Sequence, residues 1–229
     1  MRAWLKRALW DVVPRDHRET PAALRRRQLV TVAVVVIGAT VLGLSLRIEP
    51  GSASFYFATL GLALVWTVGA FASGPLHLGR IERRPGHQVR PVVEPILLGL
   101  GLAGIFVVGG LVVREVPFLD DQINSVLDFA DEGWVPLLLV ITTVNGVAEE
   151  LFFRGAVYAA TTRYPVPVST GAYVLATLAT GNLMLAFAAV LLGVVVGLQR
   201  RASGGILGPI LTHVTWSATM LLALPALFG

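Results

Sequence analysis

The chain has 229 residues, 55% of them hydrophobic and only 14% charged, and a net charge of +4. It contains no cysteine, which excludes disulfides and thiolate metal ligands. A sequence pI near 10.1 in a soluble protein would point to nucleic acid. Here the arginines sit beside apolar runs, so the partner to expect is anionic lipid headgroups and not nucleic acid.

The apolar residues cluster into runs of about the length a helix needs to cross a hydrocarbon core of about 30 Å. Lipid offers no partner to bare backbone, and the runs do not alternate as barrel strands would. The composition therefore predicts an all-α, polytopic transmembrane helical bundle with about seven spans, eight at most. Its organisation is a basic N-terminal segment, residues 1–28, followed by a single membrane domain, residues 29–229.

Residues 1–28 carry eight of the eighteen basic residues: Arg2, Lys6, Arg7, Arg15, Arg18, Arg25, Arg26 and Arg27. Trp4, Leu5, Ala8, Leu9, Val12 and Val13 recur there at helical spacing, which predicts an amphipathic interfacial helix on the cytoplasmic headgroups. The segment lacks the small-residue cleavage pattern of a signal peptide.

The predicted spans are Leu29–Leu46, Ser54–Ser73, Val92–Val113, Trp134–Ala160, Val166–Thr180, Leu183–Leu198 and Ile206–Phe228. The connection 74–91 holds Arg80, Arg83, Arg84 and Arg90, whereas 114–133 holds Glu115, Asp120, Asp121, Asp128, Asp131 and Glu132. The positive-inside rule then puts the N-terminus, the arginine connection, Arg163, Arg200 and Arg201 in the cytoplasm and the acidic connection outside. A multi-pass protein of the cell membrane is the expected localisation. Gly99, Gly101, Gly104, Gly109 and Gly110 in the third span read as helix-packing positions, and Glu94 as an interfacial carboxylate.

The fourth span carries three formal charges, Glu149, Glu150 and Arg154. A charge at membrane depth costs about 2.5–3.5 kcal/mol on insertion scales, so such residues usually face a cavity or a partner. Glu150 and Arg154 stand four apart and share a helix face, as do Asn145 and Glu149 on the neighbouring one. A carboxylate beside an arginine stays ionised, while one in apolar surroundings favours its neutral form. The pair can therefore divide into a strut, Glu150 with Arg154, and an acid free to exchange a proton with water, Glu149. The residues equally allow both acids to neutralise Arg154, or to mark the proton path of a transporter.

The last span holds His213 and Ser217 four apart. Counting about 1.5 Å per residue, His213 and Glu149 lie at similar depth, about 12–17 Å from the inner ends of their spans. The fifth span closes with Leu178-Ala-Thr-Gly-Asn182, a break that must line a cavity or be buried in protein. Asn182 there reads as a helix cap or a ligand for water.

Glu149-Glu150-Leu-Phe-Phe-Arg154, then an asparagine-bearing helix, then His213-Val-Thr-Trp-Ser217 resembles the CPBP family of intramembrane endopeptidases. That family comprises the CAAX prenyl proteases and the bacteriocin-processing and self-immunity proteins. Its pattern is Glu-Glu-x-x-x-Arg, then Phe-x-x-x-His, then His-x-x-x-Asn or a similar polar ending, and the resemblance covers about residues 134–221.

The resemblance implies a helical fold with a polar cavity in the membrane. It implies Glu149 as general base, supported by Glu150 and Arg154, with His213 and Ser217 as oxyanion donors and a peptide or lipidated peptide as substrate. The middle motif departs from the pattern, because Asn182 stands where histidine is expected. Asparagine can orient a water but cannot take its proton. It is also a poor metal ligand beside imidazole, so the expectation is no cofactor; a metal, which the family has also been described as using, would be left with Glu149 and His213.

Two readings follow from the motifs. One is an endopeptidase in which Glu149 activates a water positioned by Asn182 and His213. The other is a relative without turnover that holds membrane peptides as a scaffold. A proton-linked transporter is weaker, since the two halves show no repeat.

Overall fold

The computed structural model describes residues 3–14, 19–84 and 86–228. A short N-terminal helix, α1 (Ala3–Leu5), runs on as a π-helical turn to Trp10. There follow α2 (Pro21–Ser45), α3 (Ala53–Ser73), a hairpin of β1 (Ile81–Arg84) and β2 (His87–Val89), α4 (Val93–Val113) and α5 (Pro117–Asp131). Next come α6 (Val135–Glu150), a π-helical segment Leu151–Val157, α7 (Tyr158–Ala160), α8 (Pro165–Leu178), α9 (Leu183–Ser203), α10 (Leu207–Ala223) and α11 (Pro225–Phe228). The all-α polytopic reading holds, and the protein is a multi-pass membrane protein.

Among the described residues, six stretches are long and apolar enough to cross a membrane: 21–45, 53–73, 93–113, 135–160, 183–203 and 207–228. The seventh predicted span, Val166–Thr180, is represented by α8, whose 14 residues reach about 21 Å at 1.5 Å each. It nevertheless carries the chain from the end of the bundle near Ala160 to the opposite end at Asn182.

Three segments differ in detail from the sequence reading. Helix α2 starts at Pro21, not Leu29, because Thr20 accepts a hydrogen bond from Ala23 N and Pro21 fits the first helical position. Arg25, Arg26 and Arg27 thus belong to its first turns. The predicted interfacial helix is helical only over 3–10, and Arg2, Arg15 and Arg18 lie outside the described residues. Here the chain docks onto the bundle: Val13 N donates to Arg201 O, and Arg201 Nη2 donates to Leu9 O. The acidic connection 114–133 is mostly helix α5, which buries Ile123 and Leu127, four apart on one face.

The two ends of the bundle are chemically distinct. At one end the hairpin segment meets the α9–α10 turn through Arg80 N to Ser203 O and Ile206 N to His77 O. Arg83 pairs there with the buried Glu94 at 3.6 Å. At the other end lie α5 and the α8–α9 turn. The arginine-rich and acidic connections are therefore segregated, as the charge pattern predicts.

The core sits where α3, α8 and the π-helical segment after α6 meet, with α2 packed against it. Trp66 is 1% exposed and stacks on Phe152 at 4.9 Å, with Phe153 tilted against it at 5.0 Å. Gly38 makes room for this indole; a Cβ there would come within 2.1 Å of the ring. Close approach through small residues is how helices associate where lipid cancels the hydrophobic drive.

Candidate active site

Four side chains converge where the C-terminal end of α6 and the π-helical segment after it pack against α10. Arg154 Nη1 donates to Glu150 Oε1 at 3.1 Å, and His213 Nδ1 lies 2.8 Å from the same oxygen. His213 Nε2 points toward Glu149 Oε2 at 3.8 Å. The imidazole therefore lies between the two carboxylates, bonded to Glu150 and facing Glu149. Glu150 and Arg154 are fully buried, while the Glu149 side chain is 15% exposed.

The backbone explains how the charges are held. Leu151–Val157 winds as a π-helix immediately after the glutamates, a geometry often found at functional sites. Its carbonyls are tied to neighbouring helices: Ser169 Oγ donates to Phe153 O and Arg200 Nε to Arg154 O, both at 2.8 Å. Side chains can satisfy backbone groups in this way where water is absent.

His213 is fixed by the residue before it. Thr212 Oγ1 donates to Pro95 O at 2.8 Å and accepts from Gln199 Nε2 at 2.8 Å, so α10 is pinned to α4 and α9. Gly146 on α6 lies under the imidazole, and a Cβ there would sit 3.5 Å from His213 Cδ2.

The structure brings Glu149, Glu150, Arg154 and His213 together and places Asn182 and Ser217 elsewhere. Asn182 caps α9, its Oδ1 accepting from Leu185 N at 2.9 Å. Its Nδ2 donates to Gln122 O at 2.6 Å and Ser125 Oγ at 3.1 Å, and Gln122 Oε1 accepts from Leu183 N. These bonds clasp α5 to the α8–α9 turn. Ser217 Oγ donates to Val214 O at 3.4 Å. Both residues line an almost wholly apolar cavity of about 440 Å³ enclosed by α4, α5, α9 and α10, with Trp216 and Thr142 also on its wall.

Sequence reasoning missed Tyr173. Its ring lies under Arg154, whose Cζ is 4.7 Å from the centroid, and packs against Phe153 at 5.0 Å and His213 at 6.3 Å. A signal was present: Tyr173 and Thr177 are an aromatic and a polar residue four apart, the spacing of the middle motif, and both lie on α8.

The donor set does not suit a metal. His213 is the one imidazole of the cluster, its Nδ1 is engaged by Glu150, and among the described residues no group of three or more His, Cys, Asp or Glu could hold an ion.

A family model described as Rce1-like, type II CAAX prenyl endopeptidase Rce1-like, matches residues 131–219. This stretch contains Glu149, Glu150, Arg154, Tyr173 and His213, and the match is consistent with the CPBP resemblance of the motifs. It supports a CAAX-protease-like enzyme in the membrane. No curated protein matches the chain. No solved structure matches it either.

Proposed function

We propose that the protein is an intramembrane endopeptidase that hydrolyses peptide bonds of membrane-associated or lipidated peptides, with Glu149 as the general base. The observation that carries this reading is the asymmetry of the two carboxylates. Glu150 is immobilised between Arg154 and His213, whereas Glu149 is partly exposed and faces His213 Nε2 across 3.8 Å. A polar separation of that size is one that a shared water can bridge.

Glu149 takes a proton from this water as the water oxygen bonds to the scissile carbonyl carbon. The carbonyl π pair moves onto its oxygen, giving the oxyanion of the tetrahedral intermediate. On collapse the C–N bond breaks, the oxyanion pair re-forms the carbonyl, and Glu149 returns its proton to the leaving amine. Glu150 fixes the imidazole by accepting from Nδ1–H, which leaves Nε2 toward the water. The N-terminus and the arginine-rich end face the cytoplasm, where anionic headgroups meet Arg80, Arg90 and Arg201.

The test is cleavage of a prenylated or unmodified membrane-anchored peptide in liposomes by wild type, Glu149→Gln and His213→Ala. Loss of cleavage in both variants is expected; equal rates in all three would sink the proposal. One observation favours the scaffold alternative: the cluster contains a single imidazole, and the side chain of Asn182 is spent on α5 and the α9 cap. A scaffold would bind the peptide without cleaving it and keep binding in Glu149→Gln.

A further inference from the structure

We propose that the arginine-rich end of the bundle holds a binding site for a phosphate group, in a cavity between the first turns of α2 and the C-terminal end of α9. Binding there is independent of whether Glu149 cleaves peptides.

The cavity measures about 360 Å³, within the range of about 300–1,000 Å³ usual for ligand pockets. Arg27 of α2 and Arg200 and Arg201 of α9 line it together. Among its described lining residues Glu19 is the one acid. A cavity with three guanidinium groups and one carboxylate favours an anion.

The arginines are held in place by the protein around them. Arg27 is 2% exposed, and Glu19 accepts from its Nε and Nη2. A Cβ on Gly74 would come within 2.4 Å of that Nη2, so the guanidinium is walled in on this side. Arg200 is oriented by its Nε bond to Arg154 O and by the Tyr158 ring, 4.7 Å from its Cζ. Arg201 Nη2 donates to Leu9 O at 3.2 Å.

Two donors are left over. Arg27 Nη1 and Arg201 Nε are buried and have no hydrogen-bond partner among the described residues. A buried N–H of a cationic group that stays unpaired carries its full desolvation cost, so native structures supply an acceptor. Here the two belong to different helices that share one cavity, and an acceptor serving both must present oxygens in more than one direction. A phosphate does so tetrahedrally, whereas a carboxylate presents two oxygens in one plane. Guanidinium groups are the side chains best matched to it.

The surroundings suit two sources of that group. Arg27 stands in the second turn of α2, whose apolar stretch begins at Pro21, and so lies near the membrane surface. Leu24 and Leu76 add apolar wall, which the glycerol root of a phospholipid would cover and a free phosphate would not. The site differs from surface attraction, because Arg80 and Arg90 at the same end are exposed.

The experiment uses the full-length protein in detergent, with dioctanoyl phosphatidic acid, inorganic phosphate and dioctanoylglycerol as probes. Calorimetric titration and the unfolding temperature are the readouts, since a ligand of the folded state raises the latter. Binding of a phosphate-bearing probe and none of dioctanoylglycerol is expected. Tighter binding of phosphatidic acid assigns the site to a lipid, and equal or tighter binding of inorganic phosphate to the free anion. Binding of neither overturns the proposal. Arg27→Gln should weaken binding about 10- to 100-fold, as for loss of a hydrogen bond to a charged group. Arg80→Gln should change it about twofold at most, as for an exposed charge. Equal losses in the two variants would mean attraction to the surface alone and overturn the site. Glu19→Gln removes the competing carboxylate and should tighten binding, a result that stands even where Arg27→Gln fails to fold. Weaker binding in Glu19→Gln would overturn the proposal.

Discussion

His213 Nδ1 and Arg154 Nη1 meet at one oxygen, Oε1 of Glu150, at 2.8 and 3.1 Å. Two helices are thereby joined through a single buried carboxylate, and the removal of that carboxylate leaves a guanidinium and an imidazole without an anion. Glu150→Ala should destabilise the protein by about 3–5 kcal/mol, the usual cost of breaking one side of a buried pair. Glu149→Gln should leave the unfolding temperature close to wild type while abolishing cleavage. Thermal unfolding in detergent checks both, and equal stability of Glu150→Ala and Glu149→Gln would contradict the division of labour.

Thr212 tests how tightly His213 is registered. Thr212→Val keeps the shape but removes a donor to Pro95 O and an acceptor for Gln199 Nε2. With two buried hydrogen bonds lost, destabilisation of about 1–3 kcal/mol is expected. Cleavage should fall as well, because the next residue carries the imidazole. Unchanged kcat would mean that α10 is held in register by packing alone.

Asn182 separates capping from clasping. Asn182→Asp keeps an oxygen to cap α9 but loses both Nδ2 bonds to α5. Hydrogen exchange should speed up across 117–131 and stay unchanged in α9. If exchange in α5 were the same as wild type, the apolar contacts of Ile123 and Leu127 would suffice to hold it.

Gly38 reports on the core beneath the site. Gly38→Ala drives a methyl into the Trp66 ring, and overpacking of this kind costs about 1–3 kcal/mol. Because Trp66 stacks on Phe152, the strain falls on the π-helical segment. Lowered thermal stability with a disproportionate loss of cleavage is expected; a fall in stability alone would show the site to be insulated from the core.

What could be read in the sequence was chiefly charge in the wrong solvent. Glu149, Glu150, Arg154 and His213 stood out because an ionisable group in an apolar run demands a reason, and the structure gathers all four. Tyr173 was easier to pass over, since a tyrosine in a membrane helix looks like packing, and only its spacing to Thr177 set it apart. Asn182 was legible as a cap, but its bonds to Gln122 and Ser125 cross about sixty residues of chain, and no local pattern encodes them. Helix α5 was hidden in a segment read for its acids, although Ile123 and Leu127 already stood one turn apart. The π-helix at Leu151–Val157 carries no proline, and its one glycine, Gly155, reads equally well as a packing position, so nothing in the letters distinguishes it from α.

The Glu150–Arg154 pair lies within one continuous helical stretch, and that has a bearing on biosynthesis. Residues 135–160 are made before α10, so the ribosome delivers this segment to the bilayer when His213 does not yet exist. An i,i+4 partner on the same stretch lets two of its three charges travel as a neutral unit from the outset. Only Glu149 must wait for a neighbour from a later helix, His213 on α10. The cluster is thus completed by the last of its helices to be made, α10 with His213.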